Sequence, residues 1–231
     1  LEKVSVAGSR IQIAGMGGLG KTEILNKLYA QLAKDKQHTL FEHIALITFS
    51  GEIASDIEAQ VDYPRPYCGQ QGVEAAKRYL QDVCQEKNVL LCIDDIRPNQ
   101  TILKRNDPSL VFLKSLGASV LLTSRVAYPE FEMLGLNFLP TNACISIFEK
   151  QYGRAVSNTG DITTLTEIIE NLAGNHTMIV NRLGNMAKDY GWSLPTLSKK
   201  LKEKNFNFSK GIADDELLQQ EIRAQRFLKP M

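Results

Sequence analysis

Apolar positions in the first 140 residues form two alternating patterns. Runs of strand length lie around Ile11 and Ile13 and at residues 44–49, 89–93 and 120–122. Stripes at helical spacing separate these runs, and their members are Ile24, Leu25, Leu28, Leu32, Val73, Ala76, Leu80, Val83, Cys84, Leu110, Leu113 and Leu116. This alternation of strand and helix predicts an α/β fold, in which helices cover both faces of a parallel sheet.

Residues 51–72 lack either periodicity. The segment carries Pro64, Pro66 and Gly69, residue types that interrupt helices and strands. We therefore predict a surface excursion between the second strand and the next helix.

After Pro140 every apolar stripe has helical spacing. The stripes comprise Cys144, Phe148, Tyr152, Ile162, Leu165, Ile168, Ile169, Leu172, Met178, Ile179, Leu183, Met186 and Tyr190. Asp161 is predicted to cap the second of these helices. We expect an α/β domain over residues 1–140, a small all-α helical domain over 141–210, and a linker helix over 211–231 that begins near Leu217, Leu218 and Ile222.

The charge balance and the lengths of the apolar runs argue against nucleic-acid-binding and membrane-spanning proteins. Lys and Arg number 27 against 26 Asp and Glu, for a net charge of +1, so no broad cationic field exists and direct nucleic-acid binding is disfavoured. No apolar run approaches the roughly 18 to 20 residues of a membrane-spanning helix, and the N-terminus shows no basic region followed by an apolar stretch and a cleavage site. We therefore expect a cytoplasmic protein without a membrane partner.

The cysteines and the chain ends give two further expectations. Cys68, Cys84, Cys92 and Cys144 are widely spaced and form no CxxC pair, which indicates reduced, mostly buried thiols and no metal site of their own. The chain starts at Leu1 and lacks a clear closing element. We expect it to be part of a longer protein.

A phosphate-binding motif connects the first strand to the first helix. Residues 15–22 match the pattern GxxxxGK[ST] and consist of Gly15, Met16, Gly17, Gly18, Leu19, Gly20, Lys21 and Thr22. Glycines let backbone N–H groups converge on a phosphate at the positive N-terminus of the helix. Lys21 is expected to reach the β- and γ-phosphates, and the Thr22 hydroxyl to coordinate Mg²⁺. The motif therefore predicts a nucleoside triphosphate site.

Two acidic residues follow the apolar strand at 89–93. In an open parallel sheet ligands bind at the carboxyl ends of the strands, so Asp94 and Asp95 are expected to face the phosphate loop. We assign Asp94 to the magnesium shell and Asp95 to the attacking water. A solvated turn is the alternative for this pair.

Arg125 ends the segment Thr123-Ser124-Arg125, which follows the strand at 120–122. A cation at this edge can sense or neutralise the γ-phosphate. Surface arginines at strand ends are common, so a structural role stays open beside the sensor role.

We expect structural roles for several residues outside these motifs. His176 lies where one predicted helix ends at Gly174 and the next begins, a place that favours capping or packing over chemistry, although it is also a candidate for closing over the nucleotide. The lysines of the last helix are expected to form a solvated face, and they are Lys199, Lys200, Lys202 and Lys204.

The motifs in their order resemble the NB-ARC branch of the STAND signal-transduction ATPases, which includes apoptotic-protease activators, plant disease-resistance proteins and many bacterial sensors. The matching segments are GMGGLGKT at 15–22, Phe41 to Ser50, LLCIDDI at 90–96, LLTSR at 121–125 and Phe138-Leu139-Pro140 with Ile147-Phe148. The resemblance covers nearly the whole chain.

The resemblance implies a regulatory switch. ADP would be held in a closed state, and exchange for ATP would permit opening and homo-oligomerisation, with flanking sensor and effector domains of the same protein as partners. The implied nucleotide-binding set is Gly15, Met16, Gly17, Gly18, Leu19, Gly20, Lys21, Thr22, Glu23, Arg125 and Thr177. The implied metal ligands are Thr22 and Asp94, and the implied catalytic residues are Asp95, Lys21 and Arg125.

The family's Gly-x-Pro element is the main departure. It corresponds here to Asn175-His176-Thr177, with Thr177 where proline is expected. This departure leaves the Thr177 contact to the nucleotide open and favours a bacterial member of the family.

Two rival functions stay open beside an ATP/ADP switch with slow hydrolysis. One is a P-loop kinase of a small metabolite, which requires an Arg-rich lid that the helices after Pro140 lack. The other is a nucleotide-dependent assembly module without turnover. Hydrolysis is expected to be slow because the chain offers no obvious second arginine for the transition state.

Overall fold

The computed structural model describes residues 8–34, 41–62, 72–97 and 107–207. Within these ranges the chain divides into two compact units. The first contains the described residues up to Gly15 and those from Lys21 to Leu136, and the second contains Met16–Gly20 and the described residues from Asn137 onward.

The first unit is built on a parallel sheet. Its strands are β1 (Arg10–Ala14), β2 (His43–Thr48), β3 (Val89–Ile96), β4 (Ser119–Ser124) and β5 (Glu132–Gly135), in the spatial order β2-β3-β4-β1-β5. All four strand pairs are parallel. The helices are α1 (Lys21–Lys34), α2 (Ile53–Gln60), α3 (Val73–Glu86) and α4 (Pro108–Ser115).

Helices cover both faces of this sheet. Alternate residues of β3 belong to different apolar clusters: Leu90 and Cys92 pack with Leu25 of α1, whereas Leu91 and Ile93 pack with apolar residues of α2, α3 and α4. A strand apolar on both faces must be covered on both faces. The predicted α/β fold is therefore confirmed.

Two elements of the first unit were not predicted. The helix α2 lies inside the segment 51–72, for which the sequence predicts an excursion, and it buries Ile53, Ala54 and Ile57. The edge strand β5 has four residues, none of which is buried. Both elements are too short to produce a clear periodic signal. Residues 63–71, with Pro64, Pro66 and Gly69, lie outside the described residues.

Apart from its glycine-rich segment, the described part of the second unit is mainly helical. Its helices are α5 (Thr141–Tyr152), α6 (Thr159–Glu167), α7 (Thr177–Asp189) and α8 (Leu194–Glu203), and a π-helical turn, Ile168–Leu172, continues α6. The buried apolar residues of these elements form one cluster, with Phe148, Ile169 and Leu183 fully buried. The four lysines of the last helical segment are exposed, as predicted.

The predicted cap of α6 was wrong. The Asn158 side chain caps the helix by accepting a hydrogen bond from the Gly160 N–H, and Asp161 lies in the first turn. An acidic residue there complements the helix dipole, so Asp161 still favours this helix end. Ile162, the first member of the predicted stripe, is 40% exposed. The linker helix expected over 211–231 lies outside the described residues.

The described cysteines are free thiols, as expected. Burial raises the pKa of Cys84 to about 11 and that of Cys92 to about 12, and it also raises the pKa of Cys144. High thiol pKa values leave little reactive thiolate. Cys68 lies outside the described residues. None of the described helices has the length and apolar character needed to cross a membrane.

Candidate functional site

A carboxylate at the end of β3 accepts hydrogen bonds from hydroxyl groups of two neighbouring elements. Asp94 Oδ1 accepts hydrogen bonds from Thr22 Oγ1 at 3.0 Å and from Thr123 Oγ1 at 2.6 Å. Thr22 is the second residue of α1, and Thr123 lies near the end of β4, the strand beside β3. Carboxylate and hydroxyl oxygens are the hard donors that Mg²⁺ prefers. The donor set therefore fits the predicted metal ligands Thr22 and Asp94.

The two acidic residues occupy a β-bulge. Ile93 is in register with Leu122 and Ile96 with Ser124, so Asp94 and Asp95 together face the single residue Thr123. Asp95 has a φ of 57°, in the left-handed region, which aspartate tolerates better than most residues. Bulges beside active sites change the direction of side chains that a regular strand would send to opposite faces.

Thr123 connects the two parts of this bulge. Its hydroxyl donates to Asp94 and accepts a hydrogen bond from the Asp95 N–H at 2.7 Å. A single buried side chain thus fixes both the metal-binding candidate and the backbone of the water-orienting candidate.

Asp95 forms an ion pair with Arg97. The Arg97 Nε donates to Asp95 Oδ2 at 2.9 Å, and its Nη2 contacts the same oxygen. The Arg97 side chain is 68% exposed and the Asp95 side chain is 31% exposed. Solvent therefore weakens the electrostatic attraction between them. The pair holds the carboxylate through its Oδ2 oxygen.

Lys21 begins α1 and is buried. Its Nζ donates to the Gly15 carbonyl oxygen at 2.7 Å. An anion at the N-terminus of this 14-residue helix would meet both the helix dipole and the ammonium group. Glu23 is exposed and pairs with Lys27 at 3.5 Å, one helical turn further along.

Within the second unit, the glycine-rich segment bonds to the start of α7. The His176 ring Nε2 lies 3.0 Å from the Gly17 carbonyl oxygen, and the Met178 N–H donates to the Gly18 carbonyl oxygen at 3.2 Å. A carbonyl only accepts, so Nε2 carries the proton in this contact. His176 is buried and stands at the N-cap position of α7, where the sequence predicts a capping or packing residue.

Glycine is required at position 18. Its φ is 74°, and a Cβ there would lie 2.6 Å from His176 Cε1 and 2.8 Å from Met178 Cβ. Any side chain would force the start of α7 away from this segment. Gly20 also has a positive φ of 97°, but its surroundings are open.

Thr177 is the first residue of α7, and its Oγ1 is buried without a hydrogen bond to any described residue. Asn175 has a positive φ of 56°, and its Oδ1 is likewise buried without such a bond. The residue of this turn that contacts the glycine-rich segment is His176. The Thr177 contact to nucleotide stays a prediction.

Arg125 follows the last residue of β4 directly and is exposed. Among the described residues it makes no hydrogen bond or ion pair. The structure thus brings Thr22, Asp94 and Thr123 into direct contact but does not tie Arg125 to them.

The sequence pattern missed three features: the link that Thr123 makes, the Arg97 ion pair and a buried Gln12. It singled out His176 but did not predict its Gly17 partner. The sequence did contain a signal for Thr123. It is a polar residue at the end of a buried strand, and the neighbouring strand ends in acidic residues that can accept a hydrogen bond. Arg97 and Gln12 carry no motif.

Comparison with known proteins shows a family for this chain. The family model of the NB-ARC domain matches residues 2–155, more than half of the chain. A comparison with curated proteins found no significant match.

Solved structures with similar backbones share little sequence with the chain. A RuvB mutant from Thermotoga maritima is 14% identical, with a TM-score of 0.45, over 97% of this chain and 76% of that one. A STAND protein with a tetratricopeptide repeat sensor from Pyrococcus horikoshii is 15% identical, with a TM-score of 0.45, over 75% of this chain and 27% of that one. AMPPCP-bound DnaA from Aquifex aeolicus is 14% identical, with a TM-score of 0.43, over 95% of this chain and 63% of that one.

Proposed function

The chain belongs to the NB-ARC family and is a nucleotide-binding module; from this premise we propose that it is an ATP/ADP-dependent regulatory switch with slow ATP hydrolysis. In this proposal it controls opening and homo-oligomerisation of a multidomain, cytoplasmic signalling or defence protein. Flanking sensor and effector domains would supply the stimulus and the output.

The observation that carries the proposal is the hydrogen-bonded set of Thr22, Asp94 and Thr123 beside the start of α1. A nucleotide site of this kind needs an anion-binding helix start and an acidic strand end close together. The 3.0 Å contact between Thr22 and Asp94 supports both requirements at once.

Thr22 and Asp94 would hold Mg²⁺, which supplies neutralisation of charge on the β- and γ-phosphates when bound. Lys21 would exchange its hydrogen bond to the Gly15 carbonyl for phosphate oxygens, because the ammonium group is attracted more strongly to an oppositely charged acceptor than to a neutral carbonyl. The backbone N–H groups of residues 16–20 would complete the phosphate contacts.

Asp95 would orient the attacking water and accept its proton. Its ion pair with Arg97 engages one of its two oxygens, which restricts its approach to a water molecule. This restriction supports a slow rather than a fast hydrolase. Arg125 would sense the γ-phosphate.

Contacts inside the second unit support the switch part of the proposal. The carbonyl oxygens of Gly17 and Gly18 bond to His176 and Met178, at the beginning of α7. Nucleotide binding that rearranges residues 16–20 would therefore change the surroundings of α7. A ligand shifts a conformational equilibrium only through such differential contacts.

The Asp95–Arg97 ion pair also favours the second candidate, a nucleotide-dependent assembly module without turnover. If the pair holds the Asp95 carboxylate away from the attacking water when ATP is bound, Asp95 does not accept the proton. Measurement of phosphate release separates the two functions.

The test compares ATP turnover in the wild type and in Asp95→Asn. We expect slow phosphate release from the wild type and a decrease of about a hundredfold or more in the variant, because the general base is lost. Glu86→Gln, which removes an exposed carboxylate from α3, is the control for the change in charge and should leave the rate unaltered. Release that persists in Asp95→Asn would contradict the assigned role, and no release from nucleotide-bound wild type would favour the assembly module.

A further inference from the structure

Gln12 is a fully buried polar residue on β1, an internal strand of the sheet. It lies on β1, in register with Leu122 of β4 and Met133 of β5, and has no exposed surface. Its neighbours Ile11 and Ile13 belong to the apolar cluster of the α1 face, so Gln12 points to the opposite face of the sheet. An amide buried there is unfavourable unless both of its ends form hydrogen bonds.

One loop satisfies both ends of the Gln12 amide. Its Nε2 donates to the Val126 carbonyl oxygen, and its Oε1 accepts from the Tyr128 N–H at 2.9 Å. The orientation of the amide follows from chemistry, because a carbonyl only accepts and an N–H only donates. Gln12 therefore spans two backbone groups of the segment that follows β4.

A second side chain holds the same loop from the other side. Ser124 Oγ donates to the Ile96 carbonyl oxygen at 3.0 Å and accepts from the Val126 N–H at 3.1 Å. Val126 is thus bonded through its N–H to Ser124 and through its carbonyl to Gln12. The end of the loop is fixed by Tyr128, whose buried ring meets Phe131 edge to face at 6.5 Å.

Arg125 lies between these fixed points. Its predecessor Ser124 and its successor Val126 are both held by the hydrogen bonds above, whereas its own side chain is exposed and bonds to no described residue. A long cationic side chain on a fixed backbone loses less freedom when it binds an anion than one on a mobile loop. The hydrogen bonds of Gln12 therefore fix the backbone next to Arg125, the residue proposed to sense the γ-phosphate.

We infer that Gln12 is a positioning residue for Arg125: its amide fixes the backbone of residues 125–128 so that the guanidinium is presented to the terminal phosphate of ATP. The inference rests on the proposed function, in which Arg125 is the γ-phosphate sensor. Gln12 contributes to discrimination between ATP and ADP, and it does not contribute to binding of the phosphates that the two nucleotides share.

The test is a double-mutant cycle of Gln12→Met and Arg125→Ala. Methionine keeps the length and approximate volume of glutamine but forms neither hydrogen bond. The dissociation constants of a non-hydrolysable ATP analogue and of ADP are measured by calorimetry, both with Mg²⁺, for the wild type, the two single variants and the double variant.

We expect each single variant to weaken the ATP analogue by about tenfold, the scale of one lost charge-assisted hydrogen bond, and ADP by less than about twofold. The double variant should bind the analogue about as weakly as either single variant, because both changes remove the same interaction. Ser109→Ala is the matched control. It removes a different buried hydrogen bond of the first unit, from the Ile53 N–H at 3.2 Å, and should change neither dissociation constant.

Other outcomes separate the inference from the proposed function. Selective loss of the ATP analogue in Arg125→Ala but not in Gln12→Met would overturn the inference alone. Additive losses in the double variant, or equal weakening of both nucleotides by Gln12→Met, would show a structural role for Gln12 and also overturn it. Equal losses in Arg125→Ala would overturn the sensor role and the inference together.

A second variant covers the case in which Gln12→Met fails to fold. Gln12→Asn keeps a polar amide in the buried position but is one methylene shorter, so it cannot reach both Val126 and Tyr128. We expect the same selective loss of the ATP analogue, and unchanged selectivity in folded Gln12→Asn would overturn the inference.

Discussion

The Thr123 hydroxyl makes two hydrogen bonds at the end of the sheet. It donates to the Asp94 carboxylate and accepts from the Asp95 N–H, and it is almost completely buried. Loss of this group would leave the Asp95 N–H without its acceptor and Asp94 without one of its two hydroxyl partners. The bulge and the proposed metal ligand Asp94 therefore depend on the same side chain.

Replacement of Thr123 tests this dependence. Thr123→Val keeps the branched shape but removes both hydrogen bonds, so we expect the free energy of unfolding to fall by about 1–3 kcal/mol. We also expect Mg²⁺ to increase ATP affinity less than it does in the wild type, because Asp94 loses a group that orients it. Urea unfolding and calorimetry with and without Mg²⁺ measure the two effects.

Thr123→Ser is the control, since it retains the hydroxyl. It should preserve the effect of Mg²⁺ on ATP affinity. If Thr123→Val behaved like Thr123→Ser in the calorimetric experiment, the hydroxyl would have no part in the metal site.

Sequence patterns predict some residues of the first unit's candidate site and its supporting loop, but not others. Asp94, Asp95 and Lys21 follow from motif and strand position, because the carboxyl ends of parallel strands meet at one edge of the sheet. Gln12 does not, since a polar residue between Ile11 and Ile13 has the pattern of a half-exposed strand. Its burial depends on the loop after β4, which lies more than 110 residues away in the chain.

At the scale of elements, the helix α2 depends on an uncommon cap. The Glu52 carboxylate accepts hydrogen bonds from the N–H groups of Ala54 at 3.2 Å and Ser55 at 2.8 Å, and from Ser55 Oγ at 2.5 Å. Glutamate is not among the preferred N-cap residues, and this is one reason why the sequence did not predict the helix. The cap stabilises a helix that buries Ile53 and Ile57 against the sheet.

The charge of Glu52 gives this cap a pH dependence. Burial acts to raise the pKa of Glu52, but the hydrogen bonds from Ser55 and Ala54 outweigh it, so the pKa lies below its usual value in the folded protein. A carboxyl with a lowered folded pKa stabilises the protein above its unfolded pKa, and this contribution is lost as the pH falls through the folded pKa. The cap should therefore contribute at neutral pH and fail in acid.

Glu52→Gln tests this dependence. We expect the variant to be less stable than the wild type by about 0.5–1 kcal/mol at pH 7, a small value because the side chain is largely exposed. The difference should shrink as the pH falls to about 3, below the usual range of glutamate pKa values. Urea unfolding at a series of pH values measures it, with Glu58→Gln as a control on the same helix. A difference between wild type and Glu52→Gln that does not change with pH would contradict the assignment.

Other elements show where periodicity fails as a predictor. The stripe from Leu165 to Leu172 predicts one continuous helix, but the structure changes to a π-helical turn at Ile168–Leu172. Such a turn adds a residue to the helical repeat while the apolar side chains stay buried, so the apolar pattern alone does not reveal it. The edge strand β5 has few apolar residues to bury and gives no signal.

At the scale of the molecule, the order of the strands explains why distant motifs meet. In the order β2-β3-β4-β1-β5, β4 lies between the strand that carries the acidic pair and the strand that leads into the phosphate loop. Thr123 therefore comes from the strand placed between the two motifs, and Arg125 directly follows that strand. The alternation of strands and helices predicts a parallel sheet, but the strand order depends on tertiary packing that local patterns do not encode.

The most direct test of nucleotide binding at this site is a calorimetric titration of the wild type and of Lys21→Ala with ATP and ADP in the presence of Mg²⁺. The wild type should bind both nucleotides, and Lys21→Ala should weaken both by at least about tenfold, because a buried phosphate loses its main cationic partner. Lys27→Ala removes an exposed lysine from the same helix and should leave both affinities unchanged. Unchanged affinity in Lys21→Ala, or no binding of either nucleotide by the wild type, would contradict the assignment of residues 15–22 as the phosphate site.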